Sequence, residues 1–461
     1  MTVTFRGSIG LLCLLAVGCD VAVSRSSGPT PVAQAAVPAP PPPPPPPPPV
    51  PLIPGGAYAP LGPPPQDGVP TGAELDEALA ALGPRTPVAD VRPVVATPSS
   101  QWAWELYHQL AKTNSGNLFY SPQNIAAALA LTGAGARGET AAQIARLLHV
   151  DPQASNLAEE LAQRTAVPPV KQSGCQWSTA NRVWGERTEP IRPAYRDAVR
   201  MLWDADVALL DFQTQAEAAR GEINAWTAAQ TNDRIRDLIA PGLLDSSTRL
   251  VITSAAYFKS DWVSQFQPAR TETAPFHVSA DEQVEVPLMR QDGGFLWRQV
   301  DDLHVVELPY VGGRFSLIML LPTQVDGLAA LEARLTAAQV ASWTSDLQAE
   351  EIQLYLPRFT LTTDLSLSEP LRALGMTDAF QADRADFSGL SERPGLVVSE
   401  VVHKAFLAID EQGTEAAAAT AVIMLRGPKS PTVVRADHPF IVLIRDRNTN
   451  DILFVGRIVR P

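Results

Sequence analysis

A run of ten consecutive prolines, residues 40–49, divides this chain into two parts of different kind. Proline has no backbone N–H and fixes φ at about −65°, so such a run forms an extended polyproline II helix and cannot pack in a core. The flanking residues, 24–70, are also rich in Pro, Ala and Gly. We therefore interpret residues 19–100 as a proline-rich stalk, or alternatively as a docking segment for a proline-binding module. The folded domain is expected at residues 101–461.

The first residues have the composition of a secretion signal. An apolar run, residues 9–17, is too short to span a bilayer as a permanent helix and directly precedes Gly18 and Cys19. The ending LAVGC resembles a bacterial lipobox, although Ala16 replaces the more usual Leu. We therefore predict a signal peptide at residues 1–18, a lipid on Cys19, and a membrane-anchored lipoprotein in the periplasm or at the cell surface. An ordinary signal peptide that is cut nearby is the alternative.

The composition excludes several classes of function. The net charge is −13, and no cluster of Lys and Arg is present that would bind nucleic acid. The six histidines and three cysteines lack the spacing of a metal site, and the glycine-rich GAGARGE lacks the Lys-Ser/Thr of a phosphate-binding loop. No GxSxG motif is present. We predict a chain without metal, cofactor or catalytic site, in which Cys175 is a buried or free thiol.

Hydrophobic periodicity predicts helices first and strands later. WAWELYHQLAK and GETAAQIARLLHV each place apolar residues on one helical face, and residues 222–237 are a further helical candidate. Two hairpins follow. HVVELPY and RFSLIMLLP flank a Gly312-Gly313 turn, and PFIVLIRD and DILFVGRIV flank RNTN. This order favours an α+β fold with largely antiparallel sheets.

The composition of residues 410–421, DEQGTEAAAATA, and their position in the chain predict different structures. Ala and Glu favour helix, yet the segment directly follows VVHKAFLAI, whose β-branched and apolar residues predict a core strand. Gly413 separates the two. A core strand is therefore followed at once by a run of small residues with no obvious packing role.

This segment resembles the hinge of the reactive-centre loop in serpins, the serine protease inhibitor family. Further segments resemble serpin segments in the same order along the chain: NLFYSPQNIAAALALTGAGARGETAAQI, AAYFKSDWVSQF, VEVPLMRQ, VVELPY, LYLPRF, DFSGL, HPF and FVGRIVRP. The resemblance covers residues 101–461. It implies the serpin fold, in which helices are grouped around a large, mostly antiparallel sheet with two smaller sheets and an exposed reactive-centre loop.

The resemblance also implies a suicide mechanism. A serine protease cuts the exposed loop and becomes acylated, and the cut loop then inserts as a central strand of the large sheet and deforms the protease. The implied hinge residues are Glu411, Gly413, Thr414, Glu415, Ala416, Ala417, Ala418 and Ala419. Strand alternation puts Thr414, Ala416 and Ala418 on one face, where small side chains can slide beneath the sheet. Glu415 lies on the other face and can stay solvated.

Two further groups of residues match positions that control opening of the sheet in this family. The breach cluster consists of Trp262, Arg358 and Glu411. The shutter cluster consists of Ser121, Asn124, Ser254 and His403. Serpins usually have Lys at the position of Arg358, and either cation can pair with Glu411. Asn124 stands where Ser is usual and Ser254 where Asn is usual, which predicts that the two polar groups have exchanged places.

Several neighbouring peptide bonds are candidates for the one that a target protease cuts. The usual family spacing points to Gly427, which is a poor site because Gly fills no side-chain pocket and Pro428 follows it. Cleavage between Arg426 and Gly427 lies one residue earlier and offers a cation to a trypsin-like pocket. We therefore predict this bond. The remaining candidates are Lys429 and, for chymotrypsin-like, elastase-like or subtilisin-like proteases, Leu425 and Met424.

Together these features predict a monomeric, irreversible inhibitor that forms a covalent complex with a trypsin-like serine protease. One alternative is an inhibitor of cysteine proteases, or of elastase-like or subtilisin-like proteases, by the same trap. Another is a noninhibitory binding serpin at the cell surface. The small hinge residues favour inhibition, since noninhibitory members of the family tend to have bulkier or charged residues there.

Overall fold

The computed structural model describes residues 95–168, 170–414 and 432–461. These residues form the predicted α+β fold, with α-helices packed around two β-sheets. The signal peptide, Cys19 and the proline run lie outside them and stay predictions. Among the described residues, no helix combines the length and the apolar character needed to cross a membrane.

Two of the long helices begin with the same kind of N-cap. The Thr97 and Ser121 hydroxyls each accept a hydrogen bond from a backbone N–H of the first helical turn. Pro98 and Pro122 follow as the first helical residues, where proline loses no hydrogen bond. The helices are α1 (Pro98–Thr113), α2 (Pro122–Gly135), α3 (Gly138–Leu147), α4 (Leu157–Thr165), α5 (Pro193–Trp203), α6 (Phe212–Gln230), α7 (Leu328–Glu332), α8 (Ala337–Thr344) and α9 (Ser368–Ala373).

The predicted helical faces are buried in the core. In α1, which begins three residues before the expected domain start, the buried face includes Ala103, Leu106, Tyr107 and Leu110.

The GAGARGE segment forms the predicted turn between α2 and α3, where Gly138 has a φ of +55° that favours glycine.

The helix predicted at residues 222–237 lies earlier in the chain. The helix α6 begins after Asp211, whose carboxylate accepts a hydrogen bond from the Thr214 N–H. It ends before Asn232 and Asp233, which have positive φ angles of 49° and 61° and cannot continue a helix. Local capping and turn residues therefore set both ends of this helix.

The strands form two sheets. They are β1 (Leu118–Tyr120), β2 (Val170–Gln172), β3 (Cys175–Glu186), β4 (Val207–Leu210), β5 (Leu250–Asp261), β6 (Glu272–His277), β7 (Gln283–Val300), β8 (Leu303–Pro309), β9 (Phe315–Pro322), β10 (Gln348–Pro357), β11 (Phe359–Ser366), β12 (Glu400–Ile409), β13 (Gly413–Thr414), β14 (Thr432–Arg435), β15 (Phe440–Asp446) and β16 (Ile452–Ile458).

The central sheet has seven strands in the order β11-β12-β5-β3-β2, with β4 beside β3 and β13 beside β5. Its pairs are mostly antiparallel, as expected. The exceptions are β12 with β5 and β3 with β4, which are parallel. The parallel pair in the middle of this sheet is where the predicted hinge begins.

The second sheet has nine strands and contains both predicted hairpins, β8–β9 and β15–β16. The two smaller sheets of the expected fold are joined into this one sheet by the 18-residue strand β7. One end of β7 pairs with β8, and the rest pairs with β6 and β10. A single long strand therefore belongs to both parts.

Aromatic packing between the two sheets fixes the site described below. Phe258 of β5 lies edge-on to Phe315 of β9, with ring centroids 5.5 Å apart, and 6.2 Å from Phe454 of β16. The helix α2 contacts β3, β5 and β16, and Asn124 in its first turn donates a hydrogen bond to Ser254 of β5, so its N-terminus lies at the central sheet. Cys175 is buried and free, as predicted, and burial raises the pKa of its thiol.

Candidate functional site: the hinge and the sheet it faces

The predicted hinge begins where the parallel pair β5–β12 ends. The two strands pair up to Phe406 opposite Tyr257. Beyond that point β13 lies beside β5, with Thr414 opposite Ser260. The strand β13 runs antiparallel to β5, so Gly413 and Thr414 point back along β5 toward the β5–β12 pair.

A turn at residues 410–413 reverses the chain between β12 and β13. The Asp410 carboxylate accepts hydrogen bonds from the backbone N–H groups of Gln412, at 2.9 Å, and Gly413, at 3.1 Å. The Asp410 N–H donates to the Gly413 carbonyl at 2.9 Å. A Cβ on Gly413 would lie 2.1 Å from the Ser260 carbonyl oxygen, so only glycine fits this close approach of two strands.

The structure brings the three residues of the breach cluster to this turn. The indole N–H of Trp262 donates to the Asp410 carbonyl at 3.1 Å, and its backbone N–H donates to the Gln412 carbonyl at 2.8 Å. Arg358 approaches Glu411, with 3.4 Å between Nη1 and Oε1. Trp262 therefore holds the backbone of the turn, and Arg358 pairs with its one buried carboxylate.

Glu411 has a second partner that the sequence did not indicate. The Thr271 hydroxyl donates to Glu411 Oε1 at 2.7 Å, a shorter contact than the ion pair. The Arg358 side chain is 52% exposed, so solvent screens its charge and the pair contributes less than about 1 kcal/mol. Hydrogen bonding, more than charge, positions this carboxylate.

Tyr310 contacts the hinge directly, although the sequence motifs did not single it out. It follows β8 at the start of the turn to β9, and its hydroxyl lies 2.8 Å from the Thr414 hydroxyl. Its ring stacks on Trp262 with centroids 4.5 Å apart and an interplanar angle of 11°. The motif VVELPY contains this residue, but nothing in that motif says which side chain Tyr310 meets.

The shutter cluster assembles around His403 in the middle of the central sheet. The Ser121 backbone N–H donates to His403 Nε2 at 3.0 Å, so in the neutral ring the proton is on Nδ1. His403 Nδ1 then donates to Ser254 Oγ, at 3.0 Å. Asn124 Nδ2 also donates to Ser254 Oγ, at 2.8 Å. Asn124 and Ser254, the two residues that depart from the family pattern, are thus direct partners.

Burial determines the charge of this cluster. His403 is fully buried, and desolvation lowers the pKa of its imidazole from the usual 6.5 to about 3. The Asn124 Oδ1 atom is buried and, among the described residues, has no hydrogen-bond partner. The shutter cluster is therefore a neutral polar group that ties α2 to β5 and β12.

Several predicted residues lie outside the described part of the chain. They are Cys19, Glu415, Ala416, Ala417, Ala418, Ala419, Arg426 and Gly427. Within residues 95–168, 170–414 and 432–461, no group of three or more His, Cys, Asp or Glu side chains could hold a metal ion.

Comparison with known proteins identifies relatives along the whole folded region. The family model described as serpin (serine protease inhibitor) matches residues 98–461. Serpin B6 of Pongo abelii is 38% identical over 375 residues, which cover 80% of this chain and 100% of that protein. Leukocyte elastase inhibitor A of Rattus norvegicus is 37% identical over 386 residues, covering 80% and 99%.

A solved structure agrees with these sequence matches. The crystal structure of uncleaved ovalbumin is similar with a TM-score of 0.71 and 30% identity, and the match covers 80% of this chain and 100% of that one. The fold expected from the sequence is thus confirmed.

Proposed function

The chain belongs to the serpin family of serine protease inhibitors, and from that premise we propose that it is an irreversible suicide inhibitor of trypsin-like serine endopeptidases. The observation that carries the proposal is the hinge. Gly413 and Thr414 already pair antiparallel with β5 at the end of the β5–β12 pair. The chain after Thr414 therefore needs only to continue along the same line to become a strand between β5 and β12.

The chemistry of the trap begins with the protease. Its serine hydroxyl attacks the carbonyl carbon of Arg426 and passes its proton to the protease's own base. The bond between Arg426 and Gly427 breaks, the Gly427 amine leaves with that proton, and an ester joins the serine to Arg426. Hydrolysis of this ester would release an intact protease, so trapping requires that insertion comes first.

Insertion supplies the driving force. The pairing between β5 and β12 is lost, but the new strand pairs with both of them, so one parallel ladder is replaced by two antiparallel ones. Ala416 and Ala418 would follow Thr414 on the inward face and bury little volume and no charge. These properties suit a segment that leaves water and enters a sheet.

The decisive experiment mixes the purified protein with trypsin and analyses the products on a denaturing gel. We expect a band near the summed mass of the two proteins, because the ester survives denaturation. The cut, unreacted inhibitor should also melt at a markedly higher temperature than the uncut protein. Cleavage without a covalent band and without a rise in Tm would contradict inhibition and favour a noninhibitory binding serpin.

Arg426 is tested by substitution. Replacing it with Ala is expected to slow association with trypsin by about 30-fold or more, since truncating one partner of a buried charge pair costs about 2–5 kcal/mol. Stopped-assay kinetics of residual trypsin activity measure the rate. The matched control is Lys429→Ala, which removes a nearby cation outside the proposed bond. Equal effects of the two substitutions would argue against Arg426.

An elastase-like target is the second candidate. A relative that is 37% identical is named leukocyte elastase inhibitor, and Leu425 and Met424 precede Arg426 as apolar alternatives. Mass spectrometry of the peptide that each protease releases identifies the cut bond. A panel of trypsin, elastase, subtilisin and a papain-like cysteine protease distinguishes the target classes.

We also propose that the inhibitor is tethered to a membrane. The support is the LAVGC sequence at Cys19 and the proline run behind it, which at about 3.1 Å per residue would itself span roughly 30 Å. Expression of Cys19→Ser in a bacterial host should move the protein from the membrane fraction to the soluble fraction and abolish labelling with a fatty-acid analogue. Cys13→Ser is the matched control, and it should do neither. Labelling that persists in Cys19→Ser would exclude this anchor.

A further inference from the structure

We propose that the Tyr310 side chain is a latch that holds the hinge in the central sheet before the loop is cut, and that this latch sets how often cleavage ends in a trapped protease. The proposal rests on the inhibitory function proposed above and concerns the regulation of the same site. Tyr310 is a positioning residue, since it contacts the hinge and not the bond that is cut.

The latch is a single buried hydrogen bond between two hydroxyl groups. Tyr310 Oη and Thr414 Oγ1 are 2.8 Å apart, and the two residues are 0% and 1% exposed. Burial raises the pKa of Tyr310, so its hydroxyl stays protonated and can donate or accept. Water does not reach this pair to replace either partner.

The Tyr310 ring is held rigidly on two sides. It stacks on Trp262 and lies edge-on to Phe258, with a centroid distance of 5.1 Å. Trp262 in turn binds the carbonyls of Asp410 and Gln412. One aromatic pair therefore holds the turn from both ends, with Trp262 on the backbone before Gly413 and Tyr310 on the side chain after it.

The backbone of Tyr310 belongs to a turn of the nine-stranded sheet that is itself anchored. The Tyr310 N–H donates to the Phe315 carbonyl at 3.0 Å, and the Val311 N–H donates to the Asp261 carbonyl at the end of β5, at 2.9 Å. Arg447 Nη1 donates to the Gly313 carbonyl at 3.1 Å. The latch thus joins the hinge to a fixed point outside the central sheet.

The latch matters because two fates compete once the ester has formed. Insertion traps the protease, and hydrolysis frees it. If Gly413 and Thr414 are already paired with β5, insertion extends an existing strand and does not have to close the first loop from a free chain. Without the Tyr310 hydroxyl, Thr414 has a buried hydroxyl that has lost its partner, and the paired state becomes less populated. Insertion then starts later, and a larger fraction of the ester is hydrolysed before the protease is trapped.

The test compares Tyr310→Phe, Thr414→Val and the double variant with the wild type. The first measurement is hydrogen exchange of the Thr414 backbone amide in the uncut protein, which needs no protease. We expect exchange about 2- to 10-fold faster in each variant, the range for losing one neutral hydrogen bond. The second is the number of inhibitor molecules consumed per trypsin molecule trapped, which should rise in each variant.

The double variant and a matched control isolate the bond. Because both substitutions act on the same bond, their effects should not add, and the double variant, which leaves neither hydroxyl unpaired, should be affected no more than either single one. Tyr195→Phe removes another buried tyrosine hydroxyl, which donates to the Leu131 carbonyl at 2.9 Å far along the chain from the hinge. It should leave both measurements unchanged.

The outcomes separate the latch from the function on which it rests. A wild type that forms no covalent complex defeats the proposed function, while the exchange measurement still tests the latch. Unchanged exchange in Tyr310→Phe, or additive effects in the double variant, would overturn the latch. Faster exchange with an unchanged stoichiometry would overturn its regulatory role. If Tyr310→Phe does not fold, Thr414→Val decides both points.

Discussion

Thr414→Arg is expected to turn this inhibitor into a substrate. Trypsin should still cut the loop, but the covalent band on a denaturing gel should disappear. Thr414 is 1% exposed, and its side chain faces Tyr310 between the two sheets. The described side-chain partner of Thr414 is the neutral Tyr310 hydroxyl, so an arginine docked there would have to leave water beside a group that cannot compensate its charge. Such a buried, unpaired charge costs about 3–5 kcal/mol, which corresponds to a loss of about 100-fold or more in the trapped fraction.

The same substitution should remove the gain in stability that follows cleavage. In the wild type the cut loop becomes a strand, and we expect the Tm to rise. In Thr414→Arg the first residue of that strand cannot dock, so the Tm of the cut protein should stay near that of the uncut protein. Differential scanning calorimetry before and after cleavage measures both values.

Glu415→Arg is the matched control. It places the same guanidinium one residue later, on the face that strand alternation leaves in solvent. The control should retain the covalent band and the rise in Tm. If Thr414→Arg traps trypsin as well as the wild type does, insertion does not pass through the position that Thr414 occupies, and the proposed path between β5 and β12 is wrong.

The fold could be predicted from the sequence because its signals are local. The paired glycines Gly312 and Gly313 predict a hairpin wherever they lie between two apolar strands, and both have the positive φ that such turns need. The ends of helix α6 were misplaced for a local reason too, since the Asp211 carboxylate caps its first turn and the positive φ of Asn232 ends it. Such signals do not depend on the rest of the chain.

The details of the site could not be predicted because they join distant residues. Tyr310 and Thr414 are 104 positions apart, and their contact depends on how the β8–β9 turn packs against the end of β5. The family resemblance indicated Trp262, Arg358 and Glu411, but it did not show that Thr271 holds Glu411 more closely than Arg358 does. Side-chain direction at a junction of two sheets follows from tertiary packing, which motif order does not specify.

His403 should make the uncut protein less stable as the pH falls. Burial lowers the pKa of this histidine to about 3 in the folded protein, whereas the unfolded chain has the usual value of 6.5. Between these values the unfolded chain binds a proton that the folded chain does not. The free energy of unfolding is therefore greatest above about pH 6.5 and falls on acidification, by about 1.4 kcal/mol per pH unit from this residue.

The physical reason is the neutral hydrogen-bond pattern of the shutter cluster. His403 Nε2 accepts from the Ser121 N–H, so a proton at Nε2 would break that bond and place a charge in a fully buried site. Its other contact, Ser254, is a neutral hydroxyl that cannot compensate the charge. Because this cluster ties α2 to the two strands that must separate, we expect acid to loosen the sheet at the place where the loop inserts.

The measurement is urea unfolding of the uncut protein between pH 7 and pH 4.5, for the wild type and His403→Gln. The difference between their slopes isolates this residue, since His304, whose pKa burial also lowers, and all carboxylates titrate alike in both proteins. Tyr195→Phe provides the control, since burial raises the pKa of the Tyr195 hydroxyl away from this pH range, and this variant should keep the wild-type slope. A wild type and His403→Gln with equal slopes would show that His403 accepts a proton in the folded state. If His403→Gln does not fold, the NMR titration of the His403 ring decides, and a midpoint near 6.5 would contradict the prediction.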